Sequence, residues 1–198
     1  TVTSIYQQAF DTLTTNNMDT TYGDQPTYTH EAALYIEDNW DIHRRLRMNI
    51  GLRGSMYAVG GKVYPNLEPR VGLRVLLMKD LSFKASYQYV TQYLHLLSSS
   101  NVTLPIDLWV PVTTNIPPMH SHQVAAGFFY NLLDLVDFSV EGYYKTMDNV
   151  LEYKDGASFV SSTTGWEEKV NVGRGWSYGV EFLAQRTIGK FTGWVGYT

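Results

Sequence analysis

Cysteine is absent from the 198 residues of this sequence, so disulfide bonds and cysteine metal sites are excluded. Charged residues are also scarce, at 17% of the chain, and the formal net charge is −4 with the basic residues dispersed. Because nucleic-acid binding depends on massed lysine and arginine, we expect no nucleic-acid partner. No apolar run approaches the roughly 20 residues that a membrane-spanning helix requires.

Signatures of several enzyme classes are missing as well. The sequence contains no His-Glu-x-x-His zinc motif and no Walker phosphate loop. Gly173-Arg174-Gly175, with Gly179 after it, superficially resembles a glycine-rich phosphate loop, but no helical pattern follows it. We interpret these glycines as part of a strand with a closely approached backbone. The sequence therefore predicts a protein that is not an enzyme and holds no cofactor.

The chain contains repeated segments in which polar and apolar residues alternate. The alternation is clearest in the segment 46–57, where apolar residues such as Leu46 and Leu52 alternate with polar ones such as Arg47 and Arg53. An extended strand places alternate residues on opposite faces. On a helix the same arginines would be distributed around the cylinder and leave no apolar stripe. The pattern therefore predicts strands with one apolar and one polar face.

We predict eight such strands and an all-β, antiparallel up-and-down meander. The strands are Glu31–Ile42, Leu46–Ala58, Arg70–Met78, Leu81–Tyr93, His122–Tyr130, Val136–Met147, Trp176–Arg186 and Phe191–Thr198. The tight connections are His43–Arg45, Lys79–Asp80, Asn131–Leu135 and Thr187–Lys190, and the long ones are Val59–Pro69, Leu94–Ser121 and Asp148–Gly175. Short turns at one end and long loops at the other are typical of a transmembrane β-barrel. The aromatic content of 14% suits the aromatic belts of such a barrel.

A few positions do not fit the alternation. Asp38 is on the apolar side of its strand, and Leu76 and Phe129 are on the polar side of theirs. The last strand is ambiguous, because Trp194 and Val195 cannot both face lipid.

We expect two regions, an extracellular loop segment at 1–28 and a partial transmembrane barrel domain at 29–198. The sequence begins without a signal peptide, and its last strand reads as though it were interrupted. Both features suggest a segment of a longer chain.

Short motifs in the strands resemble those of a known family. They are ALYIEDNW at 33–40, LEPRVGLR at 67–74, KASY at 84–87, VEGYYK at 140–145, GWSYGVEF at 175–182 and GWVGYT at 193–198. Each motif alone is weak, but six of them in this order and spacing resemble the C-terminal barrel of TonB-dependent outer-membrane receptors of the Bacteroidetes type. The resemblance extends from about Thr29 to the end of the sequence.

This resemblance implies about eight strands of a 22-stranded barrel in the outer membrane of a Gram-negative bacterium. Such a barrel contacts outer-membrane lipid and encloses an N-terminal plug domain, for which we find no matching residues here. The plug would couple to the TonB–ExbB–ExbD complex and admit a scarce large solute, most often a ferric siderophore, or cobalamin, haem or a glycan. A surface lipoprotein partner is left open. Strands taken from a larger barrel have open edges, so we expect no transport from this segment alone.

Three sets of residues are candidates for function. Charged residues on the polar side would line the lumen and face the plug, or would only solvate a water-filled interior: Arg47, Arg53, Arg70, Arg74, Lys84, Glu141, Lys145 and Glu181. Aromatic residues in the long loops would contact the substrate, or would pack the loops or lie at the lipid headgroups: Tyr93, Trp109, Tyr153 and Trp166. His120 and His122 could bridge a metal ion from one strand face, but no third ligand is evident and we predict no metal site.

Two other readings of the same pattern are open. The chain could be a small self-contained outer-membrane barrel with a structural or adhesive role, which requires the first and last strands to pair. It could also be a soluble β-sandwich that binds carbohydrate through its aromatic residues. On the leading hypothesis, Leu52→Arg should damage membrane assembly, whereas Arg53→Leu should be tolerated.

Overall fold

The alternating segments form antiparallel strands in a computed structural model that describes residues 27–97, 108–154 and 165–198. The strands are β1 (Thr29–His43), β2 (Leu46–Val59), β3 (Lys62–Leu76), β4 (Leu81–Gln92), β5 (Leu94–Leu97), β6 (Leu108–Pro111), β7 (Met119–Leu132), β8 (Val136–Tyr153), β9 (Val170–Arg186) and β10 (Gly193–Tyr197). A short 3-10 turn at Trp166–Lys169 precedes β9. Over these ranges, no helix has the length and apolar character needed to cross a membrane.

Eight of the strands form one continuous sheet. Its order is β1-β2-β3-β4-β7-β8-β9-β10, and every neighbouring pair is antiparallel. Strands β5 and β6 form a separate hairpin within the connection between β4 and β7. The predicted eight-stranded meander is confirmed. In the described ranges β1 and β10 lie at opposite edges, and no ladder joins them.

The pairing register keeps the two kinds of side chain on separate faces of the sheet. One cross-strand row on the first face is Ile50, Val71, Tyr87, Val124, Tyr144 and Tyr178. The adjacent row on the second face is Asn49, Gly72, Ser86, Ala125, Tyr143 and Gly179. We call these the apolar face and the polar face. Successive residues of a strand alternate between them, as the sequence pattern predicts.

The register also places the residues that did not fit the alternation. Asp38 pairs with Ile50 on the apolar face, and Leu76 is in register with Ser82 and Phe129 on the polar face. In β10, Val195 pairs with Ala184 on the apolar face. Trp194 is therefore on the polar face, and the ambiguity of the last strand is resolved.

The predicted long loop at Val59–Pro69 is wrong. Gly60 and Gly61 form a two-residue turn with φ of 55° and 82°, and β3 begins directly after it. Glycine adopts positive φ freely, so a Gly-Gly pair suits a tight hairpin turn. Residues Lys62–Pro69 pair with β2 alone, because the β3–β4 ladder begins only at Arg70. The two prolines of this stretch are tolerated because one edge of the strand is free there.

The other two long connections remain, with changed bounds. Strand β8 continues past a bulge next to Asn149, whose φ is 61°, and ends only at Tyr153. Strand β9 begins at Val170, so both strands extend into the predicted loop. We call residues Asn149–Tyr153 and Trp166–Gly173 the β8–β9 extension.

The buried apolar residues lie beneath the connection between β4 and β7 rather than within the sheet. The first buried cluster consists of Tyr57, Val59, Tyr93 and Val112, with Tyr64 packed against it. The second consists of Leu97, Val110, Ile116, Leu151 and Val170, with Leu108, Tyr153 and Trp166 packed against it. A single sheet has no second layer to bury its apolar side chains, so loop contacts supply the only clusters among the described residues.

Candidate functional site

A row of charged residues crosses the polar face over seven neighbouring strands. Its members, in order from β1 to β9, are Asp41, Arg47, Arg74, Lys84, Gly127, Glu141 and Glu181, each in register with the next. The three basic residues are adjacent, and the two glutamates lie beyond the glycine. From Arg47 to Glu181 the row is therefore sorted by sign, with positive charge on β2–β4 and negative charge on β8–β9, and Asp41 on β1 lies beside the positive end.

Most of this charge is not neutralised by the described residues. Arg47 Nε lies 2.7 Å from Asp41 Oδ1, but both side chains are well exposed and such a pair contributes little. Lys84 Nζ lies 3.9 Å from the centre of the Phe129 ring. Like charges directly opposite each other in a sheet repel. Within the described ranges, Arg74, Lys84, Glu141 and Glu181 thus form no ion pair, and only Arg47 has a counter-charge, at Asp41.

A second row on the same face contains two further candidates, Arg70 and Lys145. Arg70 is in register with Gly51, and a Cβ placed on this glycine would lie 2.9 Å from Arg70 Cγ. The glycine thus leaves room for the arginine stem on a neighbouring strand. All eight charged candidates, including Arg53, lie on the polar face, and a concave pocket of about 530 Å³ lies over part of the charged row.

Arg53 differs from the other seven because it neutralises a buried carboxylate. Its Nη1 donates to both oxygens of Glu68 at 3.0 Å, and the Ser55 hydroxyl donates to Glu68 Oε1 at 2.6 Å. Glu68 is only 1% exposed. A buried charge is stable only when it is paired and hydrogen-bonded. Sequence reasoning missed Glu68 because it lay in a predicted loop.

The buried carboxylate is connected to Tyr93 at the end of β4. Because the Ser55 hydrogen is used on Glu68, the Tyr93 hydroxyl donates to Ser55 Oγ, at 2.8 Å. Asn66 Nδ2 donates to the same tyrosine oxygen at 3.0 Å. The Tyr93 ring stacks on Tyr57 with 4.8 Å between ring centres and 7° between planes. We call Arg53, Glu68, Ser55 and Tyr93 the anchor.

Beyond the anchor, the chain folds across the polar face of β2 and β3. We call residues 93–97 and 108–118 the strap. The Tyr64 hydroxyl donates to the carbonyl oxygen of Thr113 at 2.7 Å, and Lys62 Nζ donates to that of Thr114 at 3.1 Å. Val112 is completely buried between them and the anchor. The β3–β4 ladder stops at Gln88, which allows the strap to turn over this face.

The β5–β6 hairpin of the strap has one covered and one open face. His95, Leu97 and Val110 are buried, whereas Leu94, Leu96 and Trp109 are exposed. Leu96 and Trp109 are direct cross-strand partners, and Trp109 is 59% exposed. The open face is therefore an apolar and aromatic surface on a hairpin whose other side is packed. We call it the hairpin face.

His95 is held on the covered side by Pro117. Its Nε2 donates to the Pro117 carbonyl oxygen at 3.2 Å. Burial lowers the pKa of His95 below its ordinary value of 6.5, and the hydrogen bond to the carbonyl partly opposes this. Packing of the strap therefore favours the neutral form of this histidine.

The four aromatic loop candidates do not form one site. Tyr93 is 4% exposed and belongs to the anchor, whereas Trp109 lies on the open hairpin face. Tyr153 and Trp166 are half-buried and pack against the second buried cluster. Of these four side chains, only Trp109 has most of its surface exposed to solvent.

His120 and His122 lie on the apolar face of β7. The Tyr87 hydroxyl is 3.0 Å from His122 Nδ1, and the Thr91 hydroxyl is 3.2 Å from His120 Nδ1. The Tyr89 ring stacks near both imidazoles, at 4.6 Å from His122 and 5.7 Å from His120. Among the residues described, no three His, Cys, Asp or Glu side chains are grouped as metal ligands.

The letters Gly175-Trp176-Ser177-Tyr178-Gly179 match the nucleophile motif Gly-x-Ser-x-Gly of hydrolases. That motif requires a sharp turn from a strand into a helix. Here Ser177 pairs with Lys145 in the middle of the β8–β9 ladder. The match is therefore limited to the sequence, because the backbone conformation that the motif requires is absent from this strand.

Comparisons with known proteins agree with this architecture. The family model described as TonB dependent receptor-like, beta-barrel matches residues 2–198. No curated protein sequence matches the chain significantly. A solved structure of the FrpB iron transporter from Neisseria meningitidis (F3-3 variant) is 18% identical, with a TM-score of 0.61 over 87% of this chain and 26% of that one.

Two further solved structures are similar. The siderophore receptor PirA from Acinetobacter baumannii is 16% identical, with a TM-score of 0.56 over 81% of this chain and 26% of that one. The alcaligin outer membrane receptor FauA from Bordetella pertussis is 16% identical, with a TM-score of 0.52 over 85% and 30%. The chain thus spans roughly a quarter to three tenths of these proteins, and the likeness shows the fold.

Proposed function

Because this chain belongs to the TonB-dependent receptor β-barrel family, we propose that it forms part of the wall of an outer-membrane receptor. Receptor barrels of this family are outer-membrane proteins of Gram-negative bacteria. The complete protein would take up a scarce large solute with energy supplied through TonB, ExbB and ExbD.

The observation that carries this proposal is the separation of the two faces of one sheet. Large apolar side chains such as Leu34, which is 84% exposed, and Val180 remain uncovered on the apolar face. Contiguous exposed apolar surface of this extent is unusual for a water-soluble protein and suits contact with lipid. The strands of the main sheet other than β10 have 12 to 18 residues, more than the 9 to 11 needed to cross a bilayer. We therefore infer that they continue beyond the membrane on the side of the strap.

The polar face would then line the lumen and contact a plug domain. The sign-sorted row from Arg47 to Glu181 supports this, because its repulsive neighbours would be relieved by counter-charges on an enclosed domain. In this proposal 29–198 is the partial barrel domain and 1–28 precedes it on the extracellular side. The unpaired edges of β1 and β10 would join further strands of a larger barrel.

The solute would meet the extracellular connections. We propose Trp109 as the direct contact, with Tyr93, Tyr153 and Trp166 shaping the loops beneath it. An iron chelate is the favoured substrate, since similar structures are described as an iron transporter and as siderophore receptors. Cobalamin, haem and glycans are the other candidates. The Bacteroidetes-type subgroup rests on the sequence motifs alone, and no residue of this chain tests a surface lipoprotein partner.

An uptake assay tests this function. Cells that express the complete receptor would be given a panel of labelled ferric catecholates, ferric hydroxamates, haem and cobalamin, with a strain lacking TonB as the control. We expect accumulation of one class, and only when TonB is present. Accumulation that persists without TonB would contradict the proposal.

A further inference from the structure

The strap connects two parts of the wall that are not neighbours in the sheet. On one side of the strap, the anchor and Val112 attach it to β2 and β3. These two strands are separated from β8 by β4 and β7. On the other side of the strap, Leu97, Val110 and Ile116 pack against Leu151 and Val170 of the β8–β9 extension. One segment thus connects β2 and β3 with β8 and β9, across the two strands that separate them in the sheet.

Polar contacts strengthen the second attachment. Asn115 Nδ2 donates to Glu167 Oε2 at 2.7 Å, and Asn149 Nδ2 donates to the Pro118 carbonyl oxygen at 2.9 Å. Segments that open easily have few buried apolar contacts and exposed backbone hydrogen bonds. The strap differs on both counts, since it contributes to both buried clusters and is hydrogen-bonded at both ends.

The anchor is a specific arrangement rather than general packing. Glu68 is a charge removed from water, and it is satisfied only when Arg53 and Ser55 are both oriented towards it. That orientation leaves the Ser55 oxygen free to accept from Tyr93. Loss of any of these groups leaves a buried polar atom without its partner, which is costly. The position of Tyr93 is thereby linked to the charge of Glu68.

We propose that Glu68, Ser55 and Tyr93 are positioning residues that hold the strap and the β8–β9 extension as one preformed body. The hairpin face of Leu94, Leu96 and Trp109 is thus fixed before substrate arrives, ready for an apolar or aromatic surface of the solute. Preorganisation of this kind lowers the ordering cost of binding. The solute's contact with the hairpin face rests on the function proposed above, whereas the single rigid body does not.

Hydrogen–deuterium exchange on the complete receptor, without substrate, tests the rigid body. Glu68→Gln keeps the side-chain shape but removes the charge that orients Arg53 and Ser55. We expect amide protection in the strap to fall by roughly tenfold or more, and protection at 151–154 and 166–170 to fall with it. Glu181→Gln, which removes an exposed carboxylate on the same face, should leave both regions unchanged.

Two results would overturn the proposal. Protection lost at the strap alone, with 151–154 and 166–170 unchanged, would show that the two segments move separately. No loss anywhere would show that the anchor does not hold the strap. If Glu68→Gln fails to assemble, Tyr93→Phe replaces it, because it retains the stack on Tyr57 and removes only the hydroxyl. The same two regions should lose protection together, by a smaller factor.

Trp109→Ala separates this inference from the proposed function. Its side chain is exposed and lies outside the anchor, so protection throughout the strap should equal that of the unaltered receptor. Reduced uptake in this variant would then report contact with the solute. Reduced protection would show that the exposed Trp109 side chain itself holds the strap, and would contradict the assignment of that role to the anchor.

Discussion

The polar faces of β2–β3 and of β7–β9 arise from the same alternation but end in different environments. On β2–β3 the strap covers Tyr57 and Ser55, and a carboxylate is buried and neutralised at Glu68. On β8–β9, Glu141 and Glu181 face each other, without a described counter-charge. Period two decides which face a residue occupies, whereas a distant loop decides whether that face is buried.

Charged residues that look alike in the sequence therefore have different roles in the two regions. Arg53 and Arg74 are both arginines at alternating positions of neighbouring strands on one face. Only Arg53 has a buried partner, so its loss would isolate a charge, whereas Arg74 is exposed. Matched substitutions in the two regions therefore separate the effect of burial from the effect of lying on the polar face.

Arg53→Leu should have the largest effect. It leaves Glu68 buried without its cation, a change that costs about 3–5 kcal/mol in other proteins. Arg74→Leu, on the open part of the same face, should change stability by no more than about 0.5 kcal/mol. Denaturant unfolding of the complete receptor in detergent measures both. This expectation replaces the one drawn from the sequence, that Arg53→Leu is tolerated, and equal stability of the two variants would refute it.

Leu52→Arg should have the second-largest effect. It introduces a charge on the apolar face midway along β2, at a cost of about 2–4 kcal/mol near the centre of the bilayer. Ser86→Arg is the matched control, since Ser86 lies exposed on the polar face between Gly72 and Ala125. The fraction of heat-modifiable receptor in outer membranes should fall for Leu52→Arg alone. Equal assembly of the two variants would mean that the faces are assigned the wrong way round.

Tyr93→Phe should have a smaller effect. Removal of the hydroxyl takes a donor from the buried Ser55 and an acceptor from the half-buried Asn66, at a cost of about 1–3 kcal/mol. Tyr143→Phe provides the comparison on the open part of the polar face, where the ring lies over Gly179. Unfolding midpoints should shift for Tyr93→Phe and remain nearly unchanged for Tyr143→Phe. A larger shift in the second variant would reverse the proposed contrast.

The smallest effect should come from acidification. Because burial lowers the pKa of His95, the unfolded strap binds a proton more readily than the folded one below about pH 6.5. The contribution of His95 is complete above that pH and is lost as the pH falls through the lowered value. Protease cleavage of the strap should therefore increase on acidification, and less so in His95→Gln. An identical pH dependence in the two proteins would exclude His95 as the cause.

The sequence predicted the strands and their two faces more accurately than it predicted the residues of the anchor. The faces of β2, β4 and β8 follow from local alternation, because each strand sorts its own residues. The first long loop was wrong because Gly60 and Gly61 form a tight turn, and because Pro65 and Pro69 are accepted where one edge of β3 is free. A stricter reading of the Gly-Gly pair could have found this hairpin.

The anchor was out of reach for a different reason. Glu68 and Tyr93 are separated by 24 intervening residues, and their connection through Ser55 exists only once the strap has folded over the polar face. Nothing in the local pattern distinguishes Glu68 from an exposed glutamate of the polar face such as Glu181. Burial by a distant segment is a tertiary property, so no periodicity reports it.

The most direct test of the wall itself is spin-label accessibility along β8. Because this segment has no cysteine, single labels can be placed at positions 138–141, 143 and 144 of the receptor in lipid. We predict oxygen accessibility at Phe138, Val140 and Tyr144, and accessibility to a water-soluble nickel complex at Ser139, Glu141 and Tyr143. Accessibility that does not alternate along these positions would contradict the assignment of an outward apolar face and a lumen-facing polar face.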